Sequence, residues 1–189
     1  DSFQTNANDI RELIALGKHV EAQKAAEEVI SRNPKDSSTY TWWGISLVKT
    51  KNFFEAIQKF KKSAEIDKYN PKTFLYWGLT LSMEHKYEEA VQKYLHVIKL
   101  DPENSNAFAY WGAALLALGH TKDAIERLKQ SLNVNPNNEV AMDVMINSYY
   151  NLSRYEEAWN LVAKARERNI KIPEKTLAKL KDAMQEPNS

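Results

Sequence analysis

The chain has 189 residues, of which 43% are hydrophobic and 27% charged, a globular balance rather than a disordered one. Its net charge of +1 argues against broad polyanion binding, since nucleic-acid modules carry an excess of Lys and Arg. The absence of cysteine excludes a disulfide framework and thiolate chemistry, and no apolar run reaches the length of a membrane span. The compartment stays open, and the opening Asp is what a fragment or processed product would show.

A 34-residue period organises the whole sequence. Gly44, Gly78 and Gly112 keep it, and so do Ala22, Ala56, Ala90, Ala124 and Ala158. Phe53, Tyr87 and Tyr155 share a third register, and Pro34, Pro102 and Pro136 close three units at one equivalent point.

In chain order, the units fall at about 3–36, 37–70, 71–104, 105–138 and 139–172. The first is irregular, with Asp9-Ile10 at the place of Trp-Gly in the middle three. The second holds Tyr-Thr-Trp-Trp-Gly at 40–44; adjacent helical side chains point about 100° apart, so the two tryptophans cannot serve one core. Trp43 recurs as Trp77 and Trp111 and is expected in the packing between helices. Trp42 recurs only as an aromatic, Tyr76 and Tyr110, and is expected on the opposite face.

The third unit shows the pair of helices most plainly. One is predicted over about 71–84, with Phe74, Trp77, Gly78 and Leu81 on one face, and a second over about 87–100, with Ala90, Tyr94, Val97 and Ile98 on one face. A glycine within a helix costs about 1 kcal/mol against alanine, so Gly78 is expected to let its helix approach Ala90 on the next. In the fourth unit Gly119 suits a left-handed helix end. Asp-Pro-Glu-Asn (101–104) and Asn-Pro-Asn-Asn (135–138) separate successive units. The fifth has Met145-Ile146 in place of Trp-Gly. After Arg168 the period breaks, and Ile172-Pro173-Glu174 starts a helix over about 173–186 whose Leu177, Leu180 and Met184 share a face.

Trp-Gly followed by Leu81, Tyr87, Ala90, Tyr94 and the Asp101-Pro102 stop resembles the tetratricopeptide repeat, or TPR. The resemblance implies an all-α, right-handed solenoid: one domain over 1–189, five helix-turn-helix repeats and a C-terminal capping helix. It also implies that first helices line a concave groove. On that register the groove residues are Trp42, Ile45 and Lys49, then Lys72, Leu75, Tyr76, Leu79 and Met83. Asn106, Tyr110 and Ala113 follow, and then Asp143 and Asn147. Thr41, Ala109, Val144 and Tyr150 stand nearby.

Such a surface is more apolar than water-facing helices usually are, and Trp and Tyr often carry interface energy. The expected partner is a hydrophobic or amphipathic protein segment, with a second copy of the chain as a further occupant. The lysine, asparagine and arginine pattern by which chaperone-binding TPR domains grip a carboxylate is matched only at Lys72. A regulatory or substrate-docking module of a larger enzyme or of a secretion or assembly machine is the alternative reading. Catalysis is not expected: His19, His85, His96 and His120 fall at unrelated places in the repeat, none pairs with another at i+3 or i+4, and no glycine loop cradles phosphate. No cofactor or metal is expected, and nucleic acid is disfavoured. Asn151-Leu152-Ser153 matches a glycosylation sequon, read here as a turn.

Overall fold

In the computed structural model, which describes residues 4–187, the sequence period becomes a series of helical hairpins. The described residues form eleven α-helices and no strand. Contacts divide the chain into two compact units, Asp1–Leu100 and Asp101–Ser189.

The first unit holds α1 (Ala7–Ala15), α2 (His19–Arg32), α3 (Ser37–Lys49), α4 (Phe53–Ile66), α5 (Pro71–Met83) and α6 (Tyr87–Leu100). Here α3 packs on α4 and α5 on α6, while α2 reaches α3, α4 reaches α5, and the first helices α1, α3 and α5 touch in sequence. The second unit holds α7 (Ser105–Ala117), α8 (Thr121–Val134), α9 (Glu139–Asn151), α10 (Tyr155–Glu167) and α11 (Glu174–Ala183). Within it α7 packs on α8, and α9 packs on α7, α8 and α10; α11 lies against α9 and α10.

The sequence places every turn. Asp36, Asn70, Asn104 and Asn138 recur at the repeat interval, and each side chain accepts a hydrogen bond from the first turn of α3, α5, α7 and α9. Gly17, Lys51, His85, Gly119 and Ser153 keep the same interval, and all five take positive φ at the turn inside a hairpin. Each closes the same pair of bonds; Asn52 donates its backbone N–H to Leu47 O at 2.8 Å and Lys51 to Val48 O at 3.0 Å. That double closure satisfies carbonyls the helix end would leave bare. Only two of the five positions are glycine, so the other three carry left-handed strain.

The glycines inside the first helices have a different reason from the expected one. A Cβ on Gly78 would stand 2.5 Å from the ring of Tyr94, and one on Gly44 the same distance from Phe60. The space each glycine leaves is therefore filled by a large side chain of the second helix, and not by Ala90 or Ala56 one turn before it. Gly112 combines the two: Leu128 would lie at 2.7 Å and the Ala124 carbonyl at 3.3 Å.

The cores are local. Ile45, Leu47, Ala56 and Phe60 form one buried cluster in the first unit, and Ile10, Ala22, Ala26 and Val29 another. In the second, residues of α7 to α11 share a cluster that runs from Ala109 to Leu180. The helix expected over about 173–186 is found as Glu174–Ala183, and Leu180 is fully buried with Leu177 and Met184 packed beside it.

Candidate protein-binding faces

On the first unit, α5 separates its residues by helical spacing. Phe74, Gly78 and Leu81 are buried, whereas Leu75, Tyr76 and Leu79 keep partial exposure and Met83 is 52% exposed. Lys72, Leu75, Tyr76, Leu79 and Met83 thus run as one stripe at i+3 and i+4 steps. On α3 the stripe holds Trp42, half-buried, and Lys49, exposed. The Lys72 ammonium sits 4.4 Å from the centre of the Trp42 ring, so a cation of α5 lies over the indole of α3.

Two expected groove positions are instead used for stacking one first helix on the next. Ile45 is 1% exposed and belongs to the core cluster, so it offers no binding surface. Thr41 is also 1% exposed; its hydroxyl meets Ser63 Oγ at 2.7 Å and Thr73 Oγ1 at 2.8 Å.

The second unit repeats this lesson at the equivalent positions of α9. Thr176 of α11 donates to Asp143 Oδ1 at 2.7 Å, and Asn147 Nδ2 reaches the same oxygen at 3.2 Å. Asp143 and Asn147, expected to face a ligand, spend these polar atoms on holding the capping helix. Asn106 is exposed, but its Oδ1 accepts from Asn138 Nδ2 at 2.9 Å. Tyr110 and Ala113 are half-buried. Lys179 of α11 sits 4.8 Å over the Tyr150 ring.

The doubled tryptophan divides less cleanly than its spacing implies. Both Trp42 and Trp43 are half-buried, and both pack against the two clusters of the first unit. Trp43 stands nearly parallel to Tyr40, with ring centres 6.2 Å apart and planes at 10°, and the Lys59 ammonium lies over its ring at 3.9 Å. Phe74, Trp77 and Lys93 repeat the arrangement at 6.1 Å and 3.7 Å, and Phe108, Trp111 and Arg127 at 6.4 Å and 4.5 Å. Burial beside the Trp77 ring pushes the Lys93 ammonium below its ordinary pKa, against the opposing pull of Glu89. Reading the tryptophans alone misses these covering cations, although Lys59, Lys93 and Arg127 themselves keep the repeat interval.

Among the described residues no group of three His, Asp or Glu side chains is placed to hold a metal, and no helix is long and apolar enough to cross a membrane. What the geometry defines is an all-α helical-hairpin repeat presenting side chains from its first helices.

Solved structures place that class. MamA MSR-1 is 28% identical, with a TM-score of 0.69 over 88% of this chain and 97% of that one. PilF of Pseudomonas aeruginosa is 19% identical, at a TM-score of 0.81 over 95% of this chain and 83% of that one. A thermophilic TPR protein of Thermus thermophilus is 18% identical, at 0.75 over 93% and 95%. No protein-family profile and no curated protein matches the sequence. With its regular repeat register, the chain has the helical-hairpin fold of tetratricopeptide-repeat proteins.

Proposed function

We propose that this chain is a non-catalytic scaffold that binds a hydrophobic or amphipathic protein segment along the first helices of its repeats. The observation that carries the reading is the stripe on α5, where Leu75, Tyr76, Leu79 and Met83 stay accessible while the opposite face of the same helix is buried. A helix that exposes such a row beside an aromatic–cation pair, Trp42 with Lys72, matches the i, i+3, i+7 anchors that seat an amphipathic helix. The binding set narrows to Trp42, Lys49, Lys72, Tyr76 and Met83, with Leu75 and Leu79 as its floor. On the second unit Asn106, Tyr110 and Ala113 form the corresponding patch.

The test is a photo-crosslinking experiment with a benzophenone residue placed at Met83, run on the native chain and on a Tyr76→Ala/Leu79→Glu variant. Partners crosslinked by the native chain should disappear from the variant while its thermal unfolding stays within a few degrees. Identical partner sets would overturn the assignment.

A further inference from the structure

Three hairpins place the same trio on one face: an aromatic, a tryptophan at i+3, and a cation on the second helix at i+19. The fifth repeat departs from the rule at all three places. Where the fourth repeat has Phe108, Trp111 and Arg127, the fifth has Met142, Met145 and Leu161. The helices that carry them keep their form: α7 and α9 both have 13 residues. Met142 and Met145 are nevertheless buried, at 1% and 6% exposure, and Leu161 is half-buried.

Three aliphatic chains fill less space than two flat rings beneath a guanidinium, and a cavity of about 380 Å³ lies against them. Met142, Met145 and Leu161 all line it, and Lys129, Lys164 and Arg168 line it with them. The Arg168 guanidinium is held by donating to the Pro136 carbonyl at 3.0 Å. Lys129 meets Glu126 only at 3.7 Å, with half its side chain exposed. No carboxylate is among the cavity's lining residues.

We propose that this cavity is a second protein-docking site, separate from the α5 stripe, which takes one bulky side chain, aromatic by preference, from an acidic segment of a partner. The molecule shows what fits here, since three other hairpins seat an indole in the equivalent place with a cation over its face. The floor is apolar and soft, as methionine-rich binding surfaces are. Three cations without a carboxylate complement flanking Asp or Glu, steering approach as well as holding the segment. The volume stands near the lower end of the range for ligand sites, which suits a single inserted side chain rather than an enclosed ligand.

A fluorescein-labelled acidic peptide with one tryptophan among Asp and Glu residues, titrated by anisotropy, tests the site. Saturable binding is expected. It should weaken by about tenfold or more when the peptide's tryptophan becomes alanine or its acids become lysine, and likewise with the Lys164→Glu/Arg168→Glu variant. Met145→Trp/Leu161→Arg rebuilds the trio in the cavity and should abolish binding without lowering the thermal midpoint. The charge-reversed pair is exposed, so it keeps the test decisive even if that repacking unfolds the chain. Tyr76→Ala/Leu79→Glu should leave the peptide's affinity unchanged, which separates this site from the α5 stripe. Absence of saturable binding, undiminished binding by the charge-reversed pair, or undiminished binding by a folded, rebuilt variant overturns the proposal. Displacement of the peptide by phosphatidylserine vesicles would assign the cavity to a lipid headgroup instead. Displacement by raising the concentration of the chain itself would assign it to a second copy.

Discussion

The step from α3 to α5 in the first unit and the step from α9 to α11 in the second stack one first helix on another with different chemistry. At α3 the polar part of the joint is neutral and dry: Thr41, Ser63 and Thr73 share hydroxyl bonds, and none is more than 1% exposed. At α9 the joint is charged and half-wet: Asp143 accepts from Thr176 and Asn147 while remaining partly exposed. Burying a carboxylate as deeply as Thr41 would cost several kcal/mol, whereas a hydroxyl with partners costs little. Neutral groups therefore serve where the next hairpin covers the joint. A carboxylate serves where only the short α11 lies over it.

The largest effect should come from removing the apolar anchor of the second joint. Leu180→Asp places a charge where the native side chain is fully buried, and should lower stability by about 3–5 kcal/mol. Trp159 Nε1 donates to the Met184 carbonyl at 3.2 Å, so its fluorescence should report release of α11. Unfolding and emission both unchanged would mean that α11 caps nothing.

On the first joint the comparable change is Trp42→Ala. Half-burial against both clusters implies a loss of about 2–3 kcal/mol, below that of a fully buried tryptophan. The same fraction applies to Trp43→Ala, whose expected place between helices would imply the loss of about 3–5 kcal/mol of a fully buried aromatic. Denaturant titration of the two variants should give similar midpoints; a stable Trp42→Ala protein would return that residue wholly to the binding face.

A paired substitution separates the two chemistries directly. Thr41→Val leaves Ser63 and Thr73 short of a partner in a dry site, and should cost about 1–2 kcal/mol. Asp143→Ala should cost about 1 kcal/mol, because water can reach the groups it leaves. Hydrogen exchange should then rise across α3 to α5 in the first case and in α11 alone in the second. Faster exchange throughout the second unit would show that Asp143 holds more than the cap.

The hairpins were legible because their signals are local and repeated: the Asn104 cap and Gly119 each specify a helix end by their own chemistry, whereas Gly78 signalled a close approach without naming Tyr94 as the group that makes it. Which first-helix residues remain on the surface was not, because Ile45 and Asp143 are claimed by packing beyond their own hairpins, at an angle the hairpin itself does not set. The capping helix lies between these cases. Its sequence breaks the repeat motif, yet Thr176 meets Asp143 one repeat back, much as Asn138 meets Ser105. The stacking of first helices thus persists after the residues that announce it have gone. Nor did the tryptophans disclose their covering cations, which had to be sought in the second helix of each hairpin.

The smallest effect concerns the turns that both units share. Lys51 holds φ at 63°, where a side chain crowds the following carbonyl, while Gly17 and Gly119 occupy the same place without that contact. Lys51→Gly relieves the strain but adds freedom to the unfolded chain, and the two terms leave a net gain of about 0.5 kcal/mol. Gly119→Ala runs the reverse course, with about 1 kcal/mol lost, since no neighbouring atom lies within 4 Å of the added Cβ and only φ opposes it. Thermal midpoints that move in opposite directions would show that one backbone rule governs the turns of both units. A destabilised Lys51→Gly would mean that the lysine side chain, and not its φ, decides that turn.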